Sequence, residues 1–104
     1  MTTHDLKIWP EFFQAIERGE KTFEVRYNDR AYESGDILEL REWEPSSVLG
    51  RQGAIAPGYT GQSVTMLVTY VLHGGTHPGL IEPLRGIVKG FCVLGLKPIE
   101  ETTK

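Results

Sequence analysis

The sequence holds a single cysteine, Cys92. A disulfide framework and a multi-cysteine zinc site are therefore excluded, and a reducing cytoplasm is the expected setting. No stretch approaches the roughly 18 consecutive apolar residues of a membrane-spanning helix. The opening Met1-Thr2-Thr3-His4-Asp5 has neither a basic stretch nor a long apolar run, so no secretory signal is expected. A basic surplus is also missing. The net charge is −3, whereas proteins that grip duplex DNA through its backbone carry an excess of Lys and Arg. The charge is uneven, however. Residues 31–44 carry one basic and five acidic groups, and residues 45–104 carry five basic and three acidic groups. A local basic cleft is compatible with this pattern, and a basic face over the whole molecule is not. Neither a Gly-rich phosphate loop nor a G-x-S-x-G elbow occurs. His4, His73 and His77 are too scattered to suggest metal ligation. No metal or other cofactor is expected.

What is present suffices for a folded core. The chain of 104 residues is 39% apolar, with two Trp, four Tyr and four Phe. That length fits one domain, 1–104, with a core over 4–97 and a polar tail over 98–104. His4 to Ile8 reads as a short strand. Trp9, Phe12, Phe13 and Ile16 follow at helical spacing, which predicts a helix over 10–18 with these four on its buried face. Pro10 suits the first turn, and Gly19 can take the left-handed conformation that ends the helix. Thr22 to Tyr27 alternates: Phe23, Val25 and Tyr27 are expected on the buried face, and Thr22, Glu24 and Arg26 on the other. Asn28-Asp29 and Ser34-Gly35-Asp36 mark turns, with Asp29 a candidate acceptor for backbone N–H groups. Ile37 to Trp43 is a further strand, with Leu38 and Leu40 on one face.

Residues 44–61 contain Pro45, Pro57 and four glycines, and read as a long loop of the kind that binds or closes over a ligand. Gln62 to His73 is the longest strand, with Val64, Met66, Val68, Tyr70 and Leu72 sharing a core face. Leu80 to Ile87 has room for a helical turn. Val88 to Leu96 is nearly continuous in apolar character, which predicts burial on both faces. The pattern gives an α+β domain: a curled sheet or small barrel of about five strands, one clear N-terminal helix and a possible second short helix.

The densest polar cluster is Gly19-Glu20-Lys21-Thr22-Phe23-Glu24-Val25-Arg26. A glutamate between two cations can hold both in fixed poses, and a cation so held can clamp a phosphate or a carbonyl oxygen. The competing reading is an edge strand dressed with alternating charge. Arg30 is placed to reach toward the same cleft as Arg26, or to be a solvated turn residue. Trp43 and Tyr59 are candidate stacking residues for a base, or caps on the core. Cys92, within Phe91-Cys92-Val93-Leu94, reads as a buried small hydrophobe.

The pattern Gly19-x-Lys21-x-x-Glu24-x-Arg26 resembles the signature of ASCH domains, a branch of the PUA-like superfamily. Leu6-Lys7-Ile8, Pro10-Glu11, Asn28-Asp29-Arg30, Gly35-Asp36, Tyr59-Thr60-Gly61, Val68-Thr69-Tyr70 and Val93-Leu94-Gly95 extend the likeness over residues 4–96, toward a short bacterial and phage branch. The resemblance implies a small PUA-like β-barrel with a helix beside it, and a cleft that binds RNA, single-stranded nucleic acid or a modified nucleoside. Lys21 and Arg26 would contact the ligand and Glu24 would orient them. Thr22, Arg30, Trp43 and Tyr59 complete the candidate ligand-binding set.

Two alternatives stand beside binding. One ASCH subgroup hydrolyses 4-acetylcytidine with a Lys, a Thr and a later Glu, and some members are ribonucleases. Here Lys21 matches, but Glu24 stands at the Thr position. Glu82 is the sole acid between Glu44 and Glu100, which leaves the later Glu without a counterpart. If the protein is an enzyme, Lys21 and Glu24 are the catalytic candidates. The other alternative is a protein-interaction module in phage or bacterial regulation, with the 44–61 loop as its contact surface.

Overall fold

The computed structural model describes residues 1–45, 58–75 and 86–99. Five strands and one helix follow in chain order: β1 (Thr3–Ile8), α1 (Pro10–Glu17), β2 (Phe23–Tyr27), β3 (Ile37–Glu44), β4 (Gly58–His73) and β5 (Phe91–Pro98). They form one sheet in the order β1-β3-β4-β5-β2. The β1–β3 pair is parallel and the other three pairs are antiparallel. The sheet curls into a half-barrel, so its two edge strands, β1 and β2, lie at a seam.

The class differs from the α+β expectation. Strand makes up 56% and helix 12% of the described residues, and one helix is seen, so the domain is predominantly β. Of the second helix expected over 80–87, residues 80–85 lie outside the described residues, and Ile87 is not helical. Residues 46–57 of the long loop also lie outside them. Gly58 to Gly61, expected in that loop, instead begin β4.

The inner face of the sheet carries the core. Leu6 and Ile8 of β1, Leu38 and Leu40 of β3, Met66 and Val68 of β4, and Cys92, Leu94 and Leu96 of β5 close over Phe13 and Ile16 of α1. Each fully buried side chain of this size contributes about 1.5–3 kcal/mol. β5 alternates in burial and is not covered on both faces. Its mix of Val, Leu and Phe reflects an outer face that is itself apolar. A bulge between Val68 and Tyr70 shifts the phase of β4. Tyr70 is thereby 65% exposed and is not a core residue. Gly95 faces this bulge, where a Cβ would meet Thr69 Oγ1 at 2.8 Å.

Helix α1 stops as the sequence predicts, with Gly19 at φ 79°. Its buried face is narrower than the spacing suggests. Phe13 and Ile16 are buried, whereas Trp9 and Phe12 are 53% and 41% exposed. Trp9 lies outside the helix as its extended N-cap residue, so its side chain does not follow the helical phase.

A buried polar knot ties β1 to the turn before β3. His4 Nε2 lies 2.9 Å from Asp36 Oδ2. The Asp36 carboxylate also accepts the Thr2 and Glu33 amides at 3.1 and 3.0 Å. Burial alone would raise the Asp36 pKa, but these hydrogen bonds outweigh it and hold the carboxyl below its ordinary value. Tyr32 packs edge-on against His4, and burial pushes its phenol pKa up. The preceding turn is anchored by Asn28, whose Oδ1 accepts the Tyr32 amide at 3.1 Å. Asp29, the residue expected in that role, is exposed and lies 3.9 Å from Arg30.

Candidate functional site

Strand β2 is five residues long and sits at the sheet edge. Its faces are the reverse of the hydropathic expectation. Glu24 is buried, Arg26 is half-buried, and Phe23, Val25 and Tyr27 are exposed. The inversion has a physical cause. A buried carboxylate is costly unless it is paired and hydrogen-bonded, and Glu24 has a cation on each oxygen. Lys21 Nζ donates to Oε1 at 2.7 Å, and Arg26 Nε donates to Oε2 at 2.8 Å.

Both cations are themselves fixed. Lys21 Nζ also donates to the Phe23 carbonyl at 2.6 Å, and lies 5.0 Å from the centre of the Phe23 ring and 5.8 Å from that of Phe12. Arg26 Nη2 donates to the Lys7 carbonyl at 2.6 Å. That last bond crosses the seam from β2 to β1. Arg26 therefore both holds the buried carboxylate and ties the two edges of the half-barrel together. A guanidinium has five N–H donors and an ammonium three, so donors remain on both groups after these contacts.

Two adjoining clefts flank Glu24. One, of about 380 Å³, is lined by Lys7, Ile8, Trp9 and Phe12 on one side of the seam and by Glu24 to Tyr27 on the other. The second, of about 350 Å³, is lined by Phe12, Lys21, Phe23, Glu24 and Val25. Their size lies at the lower end of the range for small-molecule sites, roughly 300–1,000 Å³.

Of the candidate residues, the fold brings together Lys21, Glu24 and Arg26. Thr22 is adjacent but exposed, and its carbonyl is used to accept the Leu96 amide at 2.9 Å. Arg30 stays outside the cleft in its turn. Trp43 and Tyr59 pair across β3 and β4. They belong to a neighbouring patch, in which Arg41 lies 5.7 Å from the ring centre of Tyr59, and which meets the cleft at Lys7, whose Nζ lies 4.6 Å from the Trp43 ring centre. Neither aromatic lines the seam clefts.

Three features escaped the sequence reading. Trp9 and Phe12 line the cleft although their spacing assigned them to the core. The Lys7 carbonyl is a long-range partner that local spacing cannot reveal. Glu42 is buried on the inner face, accepting from Thr60 Oγ1 at 2.7 Å and Gln14 Nε2 at 3.4 Å. Glu42 continues the phase of Leu38 and Leu40, and that was its available signal. Cys92 is buried, and burial raises its thiol pKa. It is thus far from the accessible thiolate that nucleophilic chemistry requires. No described helix is long and apolar enough to cross a membrane.

Residues 3–96 match a family model described as "Domain of unknown function (DUF3850)". A relative from Escherichia phage P2, "Uncharacterized 12.9 kDa protein in GpA 3'region", is 39% identical over 49 residues. That match spans 47% of this chain and 45% of the relative, so the chain covers less than half of the curated protein's length.

Proposed function

The chain belongs to the DUF3850 family, and we propose that it is an ASCH/PUA-like binding module for RNA, single-stranded nucleic acid or a modified nucleoside, acting in the cytoplasm. The observation that carries this reading is the Lys21–Glu24–Arg26 relay at an open seam. One carboxylate fixes two cations beside a cleft walled by aromatic side chains, an arrangement suited to a phosphate and a base together. The net charge of −3 favours a ligand that touches this cleft over a duplex gripped along its length.

The test is fluorescence anisotropy with short labelled RNA and single-stranded DNA across a salt series. The wild type binds with salt-sensitive affinity. Lys21→Ala weakens binding and flattens the slope of log K against log[salt] by about 0.7, the loss of one single-strand phosphate contact. Unchanged binding in both Lys21→Ala and Arg26→Ala contradicts the site. A second reading, hydrolysis of a modified nucleoside or of RNA, draws on the 2.7 Å Lys21–Glu24 contact. It requires turnover that Lys21→Ala and Glu24→Gln each abolish while the fold survives.

A further inference from the structure

Edge strands offer unpaired peptide groups, and proteins protect them against the addition of another strand. The β2–β5 ladder shows which groups of β2 are free. Leu96 N–H bonds to the Thr22 carbonyl, and Asn28 N–H to the Gly90 carbonyl. In an antiparallel ladder, residues in this phase (Thr22, Glu24, Arg26, Asn28) bond to the partner strand, and the alternate residues turn their N–H and C=O to the other edge. Phe23, Val25 and Tyr27 therefore face the seam. The Phe23 carbonyl is taken by Lys21, and the Tyr27 carbonyl by the Asp29 amide at 2.9 Å. The Val25 peptide groups point into the seam, and Val25 lines both clefts.

A sixth strand does not fit there, because Arg26 already spans the seam to the Lys7 carbonyl. What fits is smaller and planar. The Val25 N–H and C=O offer a donor and an acceptor in one plane. Trp9 and Phe12, more than two-fifths exposed, supply apolar faces across the cleft. Arg26 and Lys21 supply charge at its margin. A donor–acceptor edge, a flat π-face and an attached anion are together the chemistry of a nucleotide.

We infer that the seam holds one unpaired nucleobase, hydrogen-bonded through its edge to the Val25 backbone and stacked on Trp9 with Phe12 beside it, with its phosphate toward Arg26 and Lys21. This rests on the nucleic-acid reading above and narrows it. The unit recognised is a single base, either splayed out of a strand or free as a mononucleotide.

Trp9 reports on its own site in the Trp43→Phe variant, which leaves it as the remaining tryptophan. Its emission is followed during titration with the four nucleoside 5′-monophosphates, with ribose 5-phosphate, and with a single-stranded RNA. At least one mononucleotide quenches Trp9 saturably, whereas ribose 5-phosphate does so at least tenfold more weakly. Trp9→Ala, read by competition against a fluorescent nucleotide, weakens nucleotide binding roughly ten- to hundredfold, the usual range for one lost stacking contact. Trp9→Phe restores most of it. Equal binding of ribose 5-phosphate and nucleotides overturns the inference, because the base is then not read. Binding of RNA that needs Lys21 and Arg26 but is indifferent to Trp9→Ala and Phe12→Ala overturns it and leaves the wider reading standing. Binding of no nucleotide and no RNA overturns both.

Discussion

Glu24 decides what the cleft can be. A carboxylate buried between two cations strengthens the fold little relative to a well-packed apolar side chain, but removing one member leaves the others unpaired. Glu24→Gln should therefore lower stability by about 1–3 kcal/mol, as read by urea unfolding. It should also release Lys21 and Arg26 from their fixed positions and weaken nucleic-acid binding. Lys21→Ala should weaken binding at a smaller cost in stability, since its ammonium is nearer solvent than the carboxylate it serves. Asp36 plays the opposite part, being structural and remote from the cleft. Its folded pKa is depressed, so its contribution is fully present above the unfolded value of about 3.9 and is lost as the pH falls through the lower folded value. Acid unfolding should show this loss below about pH 4. Asp36→Asn should be less stable at neutral pH and lack that part of the acid dependence. An unchanged acid limb in Asp36→Asn contradicts the assignment.

At the scale of elements, the helix and β2 show where hydropathy misleads. In α1, Phe12 and Phe13 are neighbours in sequence with different fates, 41% and 1% exposed. Phe13→Ala should cost about 3–5 kcal/mol, the usual value for emptying a core aromatic site. Phe12→Ala should cost far less and act mainly on binding. In β2, Val25 belongs to the apolar phase but is 52% exposed. Val25→Ala should change stability by no more than about 0.5 kcal/mol. A loss of several kcal/mol on thermal or urea unfolding would restore the conventional orientation of the strand.

The positions of α1 and β2 were legible in the sequence, because 3.6-residue and two-residue periods and the stop at Gly19 are local signals. The phase of β2 was not. It depends on Arg26 reaching Lys7, a partner 19 residues away, and on a cation from each side satisfying Glu24. The cluster Lys21, Glu24 and Arg26 was legible because its members lie within six residues of one another. The aromatic wall was not, because Trp9 sits just outside the helix whose period it matches. Tyr70 was misplaced for a related reason: the bulge after Val68 breaks a period that the sequence alone continues.

For the whole molecule, the half-barrel is what brings the edge strand β2 against β1 and shapes the proposed site. A flat sheet would hold β1 and β2 far apart, at opposite edges. Curling brings them within reach of one arginine side chain and leaves a cleft beside the bridge. The outer patch of Trp43, Tyr59 and Arg41 meets this cleft only at Lys7, which lines the cleft and also reaches the Trp43 ring, so Trp43, Tyr59 and Arg41 report on the patch and Trp9 on the cleft. Binding at the seam is read most directly by an amide and indole NMR titration of the ¹⁵N-labelled chain with a short single-stranded RNA. Shifts should concentrate on the amides of Lys7 to Trp9, Glu11, Phe12, Lys21 and Glu24 to Tyr27, with the Trp9 indole moving and the Trp43 indole nearly still. Shifts confined to Trp43, Tyr59 and Arg41, or no shifts with RNA or nucleotide, would contradict it.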